Sequence, residues 1–489
     1  MRIHTLIALC GLGMGVTSIA LWMATTPSDK TGSTLSPEKP TEPAPPEPGP
    51  EFMARGPVTM HGRLGHRVLP ADRPATTYLY AEMTAAAGRV AKTPAPLDLG
   101  IVIDRSGSMR GQRLQNAIDA AQGAVRRLRD GDQVSVVTYN TRVEEVVPAT
   151  TIDASTRDRV VTSIGGIIAA GDTCISCGIE SGLSHVEGHT GRVKRLLLLS
   201  DGEATAGVRD ETGFKALAAR CREAGVSITS IGVDTQYNER VMAALALESN
   251  GRHYFVENAA GLPEVFNKEL ESLNKTVAMD ADVVVTPAPG VSIDRVYDRT
   301  YRLDGNQIVV PLGTFSEAET KTLLVSLRTP PNQAGKLDVA KVELRYRDLT
   351  ENEQRRAEGE LALKLSDRPD EASGLDVVVE NRLNRSKASD ALEAANELYR
   401  AGKRDEARRT LQEQLDTLDK AQARSRDSAP APQAAKVDRD YERQRGALED
   451  ADDALSGSAN SDTKKRSAPP PKPATQVRKN EDYAVNARF

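Results

Sequence analysis

Leu97-Asp98-Leu99-Gly100-Ile101-Val102-Ile103-Asp104-Arg105-Ser106-Gly107-Ser108-Met109 is a short apolar run that stops abruptly at a polar turn. A strand buried on both faces of a parallel sheet has this appearance. Beyond it, Leu114, Ala117, Ile118, Ala121, Val125 and Leu128 recur at helical spacing. Further strands read at Gln133–Tyr139, Val143–Val147, Leu196–Leu199, Val226–Gly232 and His253–Val256. Helices read as two stretches ahead of Leu196, then at Thr212–Glu223, Glu239–Leu247 and Leu262–Leu273. Strands alternating with helices at this spacing predict an α/β fold, a doubly wound and mostly parallel Rossmann-like sheet, over residues 96–275.

On either side of that domain the pattern changes. Leu323, Val325 and Leu327, then Val342, Leu344 and Tyr346, then Leu361, Leu363 and Leu365 alternate with polar residues. Period-two runs predict an antiparallel β-sandwich over 276–368. Residues 56–95, most clearly Thr76–Met83, are expected to supply further strands to it, with the α/β domain inserted between. Residues 369–425 read as a helical hairpin, with Ala391, Ala395 and Leu398 before a break at Ala401-Gly402-Lys403 and Ala407, Leu411 and Leu415 after it. The charged, proline-bearing segment 426–489 is expected to be mostly disordered, apart from a helix near Arg439–Leu455.

At the other terminus, Arg2 and His4 precede an uncharged stretch from Thr5 to Ser28, about the ~20 residues that a membrane-spanning helix needs. Bulky Trp22 suits cleavage before Thr25 poorly, so residues 1–25 are expected to be a membrane anchor rather than a cleaved signal peptide. The body is then on the periplasmic or extracellular side. Residues 26–55 read as a linker, extended by its prolines from Pro27 to Pro50.

Composition narrows the function classes. Sixty-four basic residues against 69 acidic ones leave a net charge of -5, which argues against a general nucleic-acid binder. Four cysteines in 489 residues are too few for a disulfide scaffold. There is no phosphate-cradling G-x-x-x-x-G-K-[ST] loop and no G-x-S-x-G nucleophile elbow. Enzyme activity is not expected.

Ligands of open α/β sheets collect beyond the carboxyl ends of the strands. Alternate positions of an extended turn face one side, so Asp104, Ser106 and Ser108 can present three oxygens to one point. The loop Gly171-Asp172-Thr173 offers a hydroxyl and Ser200-Asp201-Gly202 a carboxylate. Five oxygen donors, with neither imidazole nor thiolate, suit a hard cation.

The series D-x-S-G-S-M, a G-x-T-like loop and S-D-G resembles the metal-ion-dependent adhesion site of von Willebrand factor A domains. Val134–Tyr139 and Ile231-Gly232-Val233-Asp234 resemble later strands of that fold. The whole is similar to bacterial A-domain proteins with C-terminal extensions and, more distantly, to inter-alpha-trypsin inhibitor heavy chains. The resemblance implies that Ser106 and Ser108 ligate directly, Thr173 directly or through water, and Asp104 and Asp201 mostly through water. It implies magnesium, with manganese or calcium able to substitute. It also implies a protein ligand offering an acidic side chain, in adhesion or in assembly of an envelope complex. Asp172 departs from the family, which often has glycine there.

Cys174-Ile175-Ser176-Cys177 follows Thr173 directly and opens a helix. Three readings stand: a local disulfide stiffening the metal loop, two small packing residues, or redox-active thiols favoured by the helix dipole. Cys221 lies on an apolar helix face and is expected in the core. Two other functions remain in view, an accessory subunit of a separate ATPase complex and a thiol-redox protein using Cys174 and Cys177.

Overall fold

The computed structural model describes residues 48–88, 94–234, 237–428, 431–456 and 473–487. The expected anchor at 1–25 and most of the expected linker lie outside these residues. Among the described residues no helix is long and apolar enough to cross a membrane.

Among the described residues the first strands are β1 (Glu51–Ala54), β2 (Val58–Leu64), β3 (Val68–Pro70) and β4 (Ala75–Ala85). An α/β domain follows: β5 (Leu97–Asp104), α1 (Gln112–Arg127), β6 (Gln133–Tyr139), β7 (Val143–Thr151), α2 (Ala154–Gly165), α3 (Ile175–Val186), β8 (Val193–Ser200), α4 (Glu211–Glu223), β9 (Val226–Val233), α5 (Glu239–Glu248), β10 (His253–Val256) and α6 (Leu262–Asn274). Its sheet has the order β10-β9-β8-β5-β6-β7. All its pairs are parallel except that of the edge strand β7. All eight residues of β5 are buried, because helices cover both faces of this central strand.

The chain then returns to strands: β11 (Thr276–Pro287), β12 (Ser292–Tyr297), β13 (Arg302–Asp304), β14 (Gln307–Ser316), β15 (Thr320–Thr329), β16 (Gly335–Asp348) and β17 (Glu353–Ser366). Two sheets result, β1-β2-β4-β15-β12 and β13-β14-β11-β16-β17-β3. Strand β4 pairs with β15 along ten residues, so the α/β domain is an insertion between two parts of one sandwich. Met60, Leu79 and Met83 from before the insertion share a core with Val283, Phe315, Val325 and Leu344 from after it.

Two expectations need correction. The linker reading extended to residue 55, yet β1 is an edge strand paired with β2. Its Phe52 ring fills a slot that exists because Gly62 and Gly359 lack side chains; a methyl group on either would fall within 2.2 Å of the ring. The prolines around β1 hid it, and its slot is made by glycines distant in sequence.

The tail 426–489 was expected to be mostly disordered, but its described residues are helical. After α7 (Val377–Arg400) and α8 (Arg404–Ser428) come α9 (Ala431–Ser456) and α10 (Pro473–Ala487). The proline opening α10 sits where a helix tolerates it. The helix is held by tertiary contacts that composition does not display. Val477 and Val485 are buried, the Asn480 amide donates to Asn396 Oδ1 at 2.9 Å, and Glu481 pairs with Arg400 at 3.3 Å. The hairpin is thus part of a four-helix assembly. Helix α7 begins inside the expected 369–425 hairpin, capped by Asp376, whose carboxylate accepts from the Val378 and Val379 amides.

The α10 end docks beside β10, where Asn486 Nδ2 donates to the His253 carbonyl at 2.9 Å. His253 is fully buried, and its ring nitrogens meet Ser230 Oγ at 2.9 Å and Tyr237 Oη at 3.3 Å. Ser230 Oγ donates onward to the Met242 carbonyl, so a neutral ring that donates from Nδ1 and accepts at Nε2 satisfies the chain.

Two stability outcomes follow from these contacts. Phe52→Ala should lower unfolding free energy by about 2 kcal/mol, less than the ~3–5 kcal/mol of a fully enclosed ring, as measured by urea denaturation. Burial pushes the His253 imidazole down to about 4. Its folded value is therefore depressed, and below an unfolded value of about 6.5 the unfolded chain takes the proton first. Stability should fall by up to about 1.4 kcal/mol per pH unit as pH drops from about 6.5 towards 4. Thermal melts should show His253→Gln to lack this component.

Candidate metal centre

Strand β5 lies between β6 and β8, and the register sets Asp104 beside Tyr139 and Ile103 beside Leu199. The carboxyl ends of three strands therefore stand together. Beyond them the chain turns through Ser106 into a single 3-10 turn, Gly107–Met109, anchored where the Gly107 amide donates to the Gly171 carbonyl at 3.0 Å.

The five oxygen-bearing residues are brought into one neighbourhood. Asp104 is fully buried; its Oδ1 accepts from the Ser106 amide at 2.8 Å and its Oδ2 from Ser200 Oγ at 2.9 Å. Ser106 Oγ lies 3.0 Å from Ser108 Oγ. Ser108 Oγ in turn donates to Asp201 Oδ1 at 2.7 Å. The Thr173 hydroxyl faces the same space, since a methyl group built on Gly202 would lie 3.8 Å from both it and Ser108 Oγ. Asp172 and Glu203 are exposed.

Thr173 is fixed through its backbone. Its amide donates to Thr205 Oγ1 at 2.9 Å, and its carbonyl accepts from the amides of Thr205 and Ala206 at 2.9 and 3.1 Å. Thr205 belongs to the loop carrying Asp201, so the two loops move as one. The sequence reading passed over this residue, although its place four positions after Asp201 was a usable signal.

Arg113 was also missed. It reaches in from the first turn of α1, with Nη1 3.3 Å from Asp201 Oδ2 and 2.9 Å from the Ser108 carbonyl, while Nη2 pairs with Asp234. Asp234 holds a left-handed backbone conformation, φ 65°, at the exit of β9.

Burial pushes the Asp104 carboxyl up to about 6, and the neighbouring Asp201 charge adds to the rise against hydrogen bonds from Ser106 and Ser200. Asp201 is also raised by burial, while Ser108 and Arg113 oppose the shift. Two sequestered carboxylates facing one guanidinium leave a charge deficit that a divalent cation fits. Among the described residues no three His, Cys, Asp or Glu side chains gather at metal-binding distances. Hydroxyls would therefore have to complete any ligand set, and Ser106, Ser108 and Thr173 are placed to do so.

The fold and site together define a class: an α/β domain with a cluster of oxygen-bearing side chains at the carboxyl end of its sheet. Residues 98–268 match the von Willebrand factor type A domain, and this part of the chain is such a domain. Over 271 residues the chain is 26% identical to an uncharacterized Synechocystis protein, sll0103, covering 52% of this chain and 62% of that one. It is 29% identical over 199 residues to YfbK of Escherichia coli, covering 39% and 34% of the two. With human inter-alpha-trypsin inhibitor heavy chain H4 the identity is 24% over 238 residues, covering 45% and 24%. Each match spans less than two thirds of the relative's length. Among solved structures, a von Willebrand factor type A protein from Catenulispora acidiphila superposes with TM-score 0.65 at 17% identity, covering 82% of this chain and 92% of that one. The ArnB paralog VWA2 of Sulfolobus acidocaldarius gives 0.56 at 17% identity, covering 80% and 98%. At these identities the likeness is one of fold, and it extends well beyond the α/β domain.

Cys174 and Cys177 are joined as a disulfide at the start of α3, while Cys221 is a buried free thiol. Gly207, with φ +69°, approaches the pair so closely that a methyl group there would lie 2.6 Å from Cys174 Sγ and 2.4 Å from Ser176 Oγ. Because Thr205 already fixes Thr173, a Cys174→Ser/Cys177→Ser variant should keep cation affinity within a few-fold. It should lose about 2 kcal/mol of stability, the scale for so short a closed loop. Gly207→Ala should weaken cation binding more, because it drives the two loops apart. Calorimetric titration of both variants with magnesium or manganese checks the ranking.

Proposed function

We propose that this protein binds an acidic group of a partner protein through a divalent cation held by Asp104, Ser106, Ser108, Thr173 and Asp201. The observation that carries the reading is the hydrogen-bonded series Ser106–Ser108–Asp201 with Asp104 buried behind it. Ser106, Ser108 and Thr173 would be direct donors, and Asp104 and Asp201 would act mainly through water. When bound, the cation supplies a Lewis-acidic position that neutral hydroxyls leave poorly neutralised, which favours an incoming carboxylate. An oxygen-only set rich in hydroxyls suits magnesium, with manganese or calcium as substitutes.

The role is binding rather than catalysis, as adhesion or assembly of an envelope complex. Two features support an exported, membrane-held body: the uncharged stretch Thr5–Ser28 and the Cys174–Cys177 disulfide, a bond that persists in oxidising compartments. Both weigh against a cytoplasmic subunit of an ATPase complex. The short-range tie also serves a structural purpose at the start of α3 without any thiol-exchange role.

Titration of the full-length protein with magnesium or manganese should show one saturable site. Asp104→Ala should weaken uptake by roughly 100-fold and abolish magnesium-dependent capture of the partner, while circular dichroism shows an intact fold. Equal uptake by wild type and variant, or capture that survives a chelator, contradicts the reading.

A further inference from the structure

The inserted domain meets the sandwich at the amino-terminal end of its sheet, and a crevice of about 660 Å³ lies there. Arg195 on β8, Arg252 before β10 and Lys321 on β15 line it, with Lys268 and Lys275 from the α6 region. Arg195 is only 7% exposed and Lys321 5%. Among the described residues, the Arg195 guanidinium makes no hydrogen bond or direct ion pair, and its Nε is enclosed without a partner. Lys321 has one hydrogen bond, to the Leu312 carbonyl at 2.7 Å, and lies over the Phe315 ring.

The nearby carboxylates are already engaged. Glu269 accepts from Arg252 Nη1 at 3.3 Å, Tyr254 Oη at 2.7 Å and Thr229 Oγ1 at 2.9 Å. Glu319 takes Arg252 Nη2 at 3.0 Å and the Ser316 amide at 2.8 Å. Glu271 is paired with Lys275. Asp482 of α10 accepts from the Phe255 amide and Asn486. Three cations thus share two committed carboxylates at the floor of the crevice. Enclosing an unpaired charge is costly, and proteins ordinarily pair it. Burial accordingly pulls Arg195 below the usual arginine range and Lys321 down to about 8.

We propose that this crevice is a binding site for a small molecule bearing an oxyanion, a carboxylate or phosphate group, seated on Arg195 and Lys321 with Lys268 at the mouth. The volume lies within the ~300–1,000 Å³ typical of small-molecule sites, so the ligand has room for a body beyond its anionic group. Arg195 on β8 precedes Asp201, in the turn just after that strand, by six residues, a separation of roughly 20 Å. The site is therefore distinct from the metal centre and does not depend on the function proposed for it.

The full-length protein is titrated with inorganic phosphate and, separately, with succinate, at an ionic strength held constant with chloride. Thermal midpoint and binding heat are followed with a chelator present, which removes the metal centre from the readout. A saturable response to at least one probe is expected. It should weaken about tenfold or more in Arg195→Gln, which loses charge-assisted hydrogen bonds, and about threefold in Lys268→Gln, where the side chain is exposed. Stronger binding of phosphate assigns a phosphorylated ligand, and stronger binding of succinate a carboxylic acid. The proposal is overturned if neither probe gives a saturable response beyond chloride, or if Arg195→Gln binds like wild type. Should Arg195→Gln fail to fold, unchanged affinity in Lys268→Gln overturns it and weakened affinity supports it.

Discussion

The in-register parallel pairing of β5 with β6 and β8 is the constraint on which the candidate metal centre depends. It puts Asp104 next to Tyr139 and one step from Ser200, so side chains from three separate loops share one space. A slip of one residue would turn Asp104 to the opposite face of the sheet. The slip is opposed by the complete burial of β5: Leu99, Ile101 and Ile103 pack to one side and Val102 to the other. Apolar contacts along the strand thus fix the position of a carboxylate at its end.

Packing alone would leave the site electrostatically unbalanced. Asp104 receives two hydrogen bonds and Asp201 receives one from Ser108 and one from Arg113. These bonds orient the carboxylates but supply only one positive charge. Arg113 also binds Asp234, which ties the exit of β9 to the site and spreads the negative charge over two loops. The hydroxyls add donors without adding charge. Under the proposed function, a cation held there would stay electron-poor, which would suit an acidic ligand better than a full shell of carboxylates would.

The α/β domain was legible in the sequence because its evidence is local. Burial on both faces makes β5 and β8 continuous apolar runs, and the polar turns after them mark the strand ends. Asp104, Ser106, Ser108 and Asp201 sit at those strand ends and turns, so their meeting in one neighbourhood was legible too. Arg113 was not, because its importance rests on partners in other loops, and Thr205 was signalled only by its place four positions after Asp201. Phe52 illustrates the same limit: its slot is cut by Gly62 and Gly359, neither of which signals a neighbour. Helix α10 was hidden for another reason. Asn396, Asn480 and Glu481 form a buried polar interface, and polar residues in a charged tail read as solvated until their partners are known. The disulfide was one of three open readings of the Cys174/Cys177 spacing, and only the fold around α3 distinguishes it.

Insertion into the sandwich also explains how the two ends of the sheet differ. The chain enters the α/β domain at the start of β5 and leaves it after α6, and both points lie at the amino-terminal end of the sheet. The sandwich must dock there, as the hydrogen bond from the Glu317 amide to the Lys275 carbonyl records. Docking at that end encloses Arg195 and Lys321 against the second module, the opposite end from the loops that carry Ser106, Thr173 and Asp201. On the two readings proposed above, the same topology would place a large partner at the oxygen-lined end and something small at the cationic end. Any difference in ligand size between the two ends would then arise from where the chain crosses between modules, before the chemistry of either site is considered.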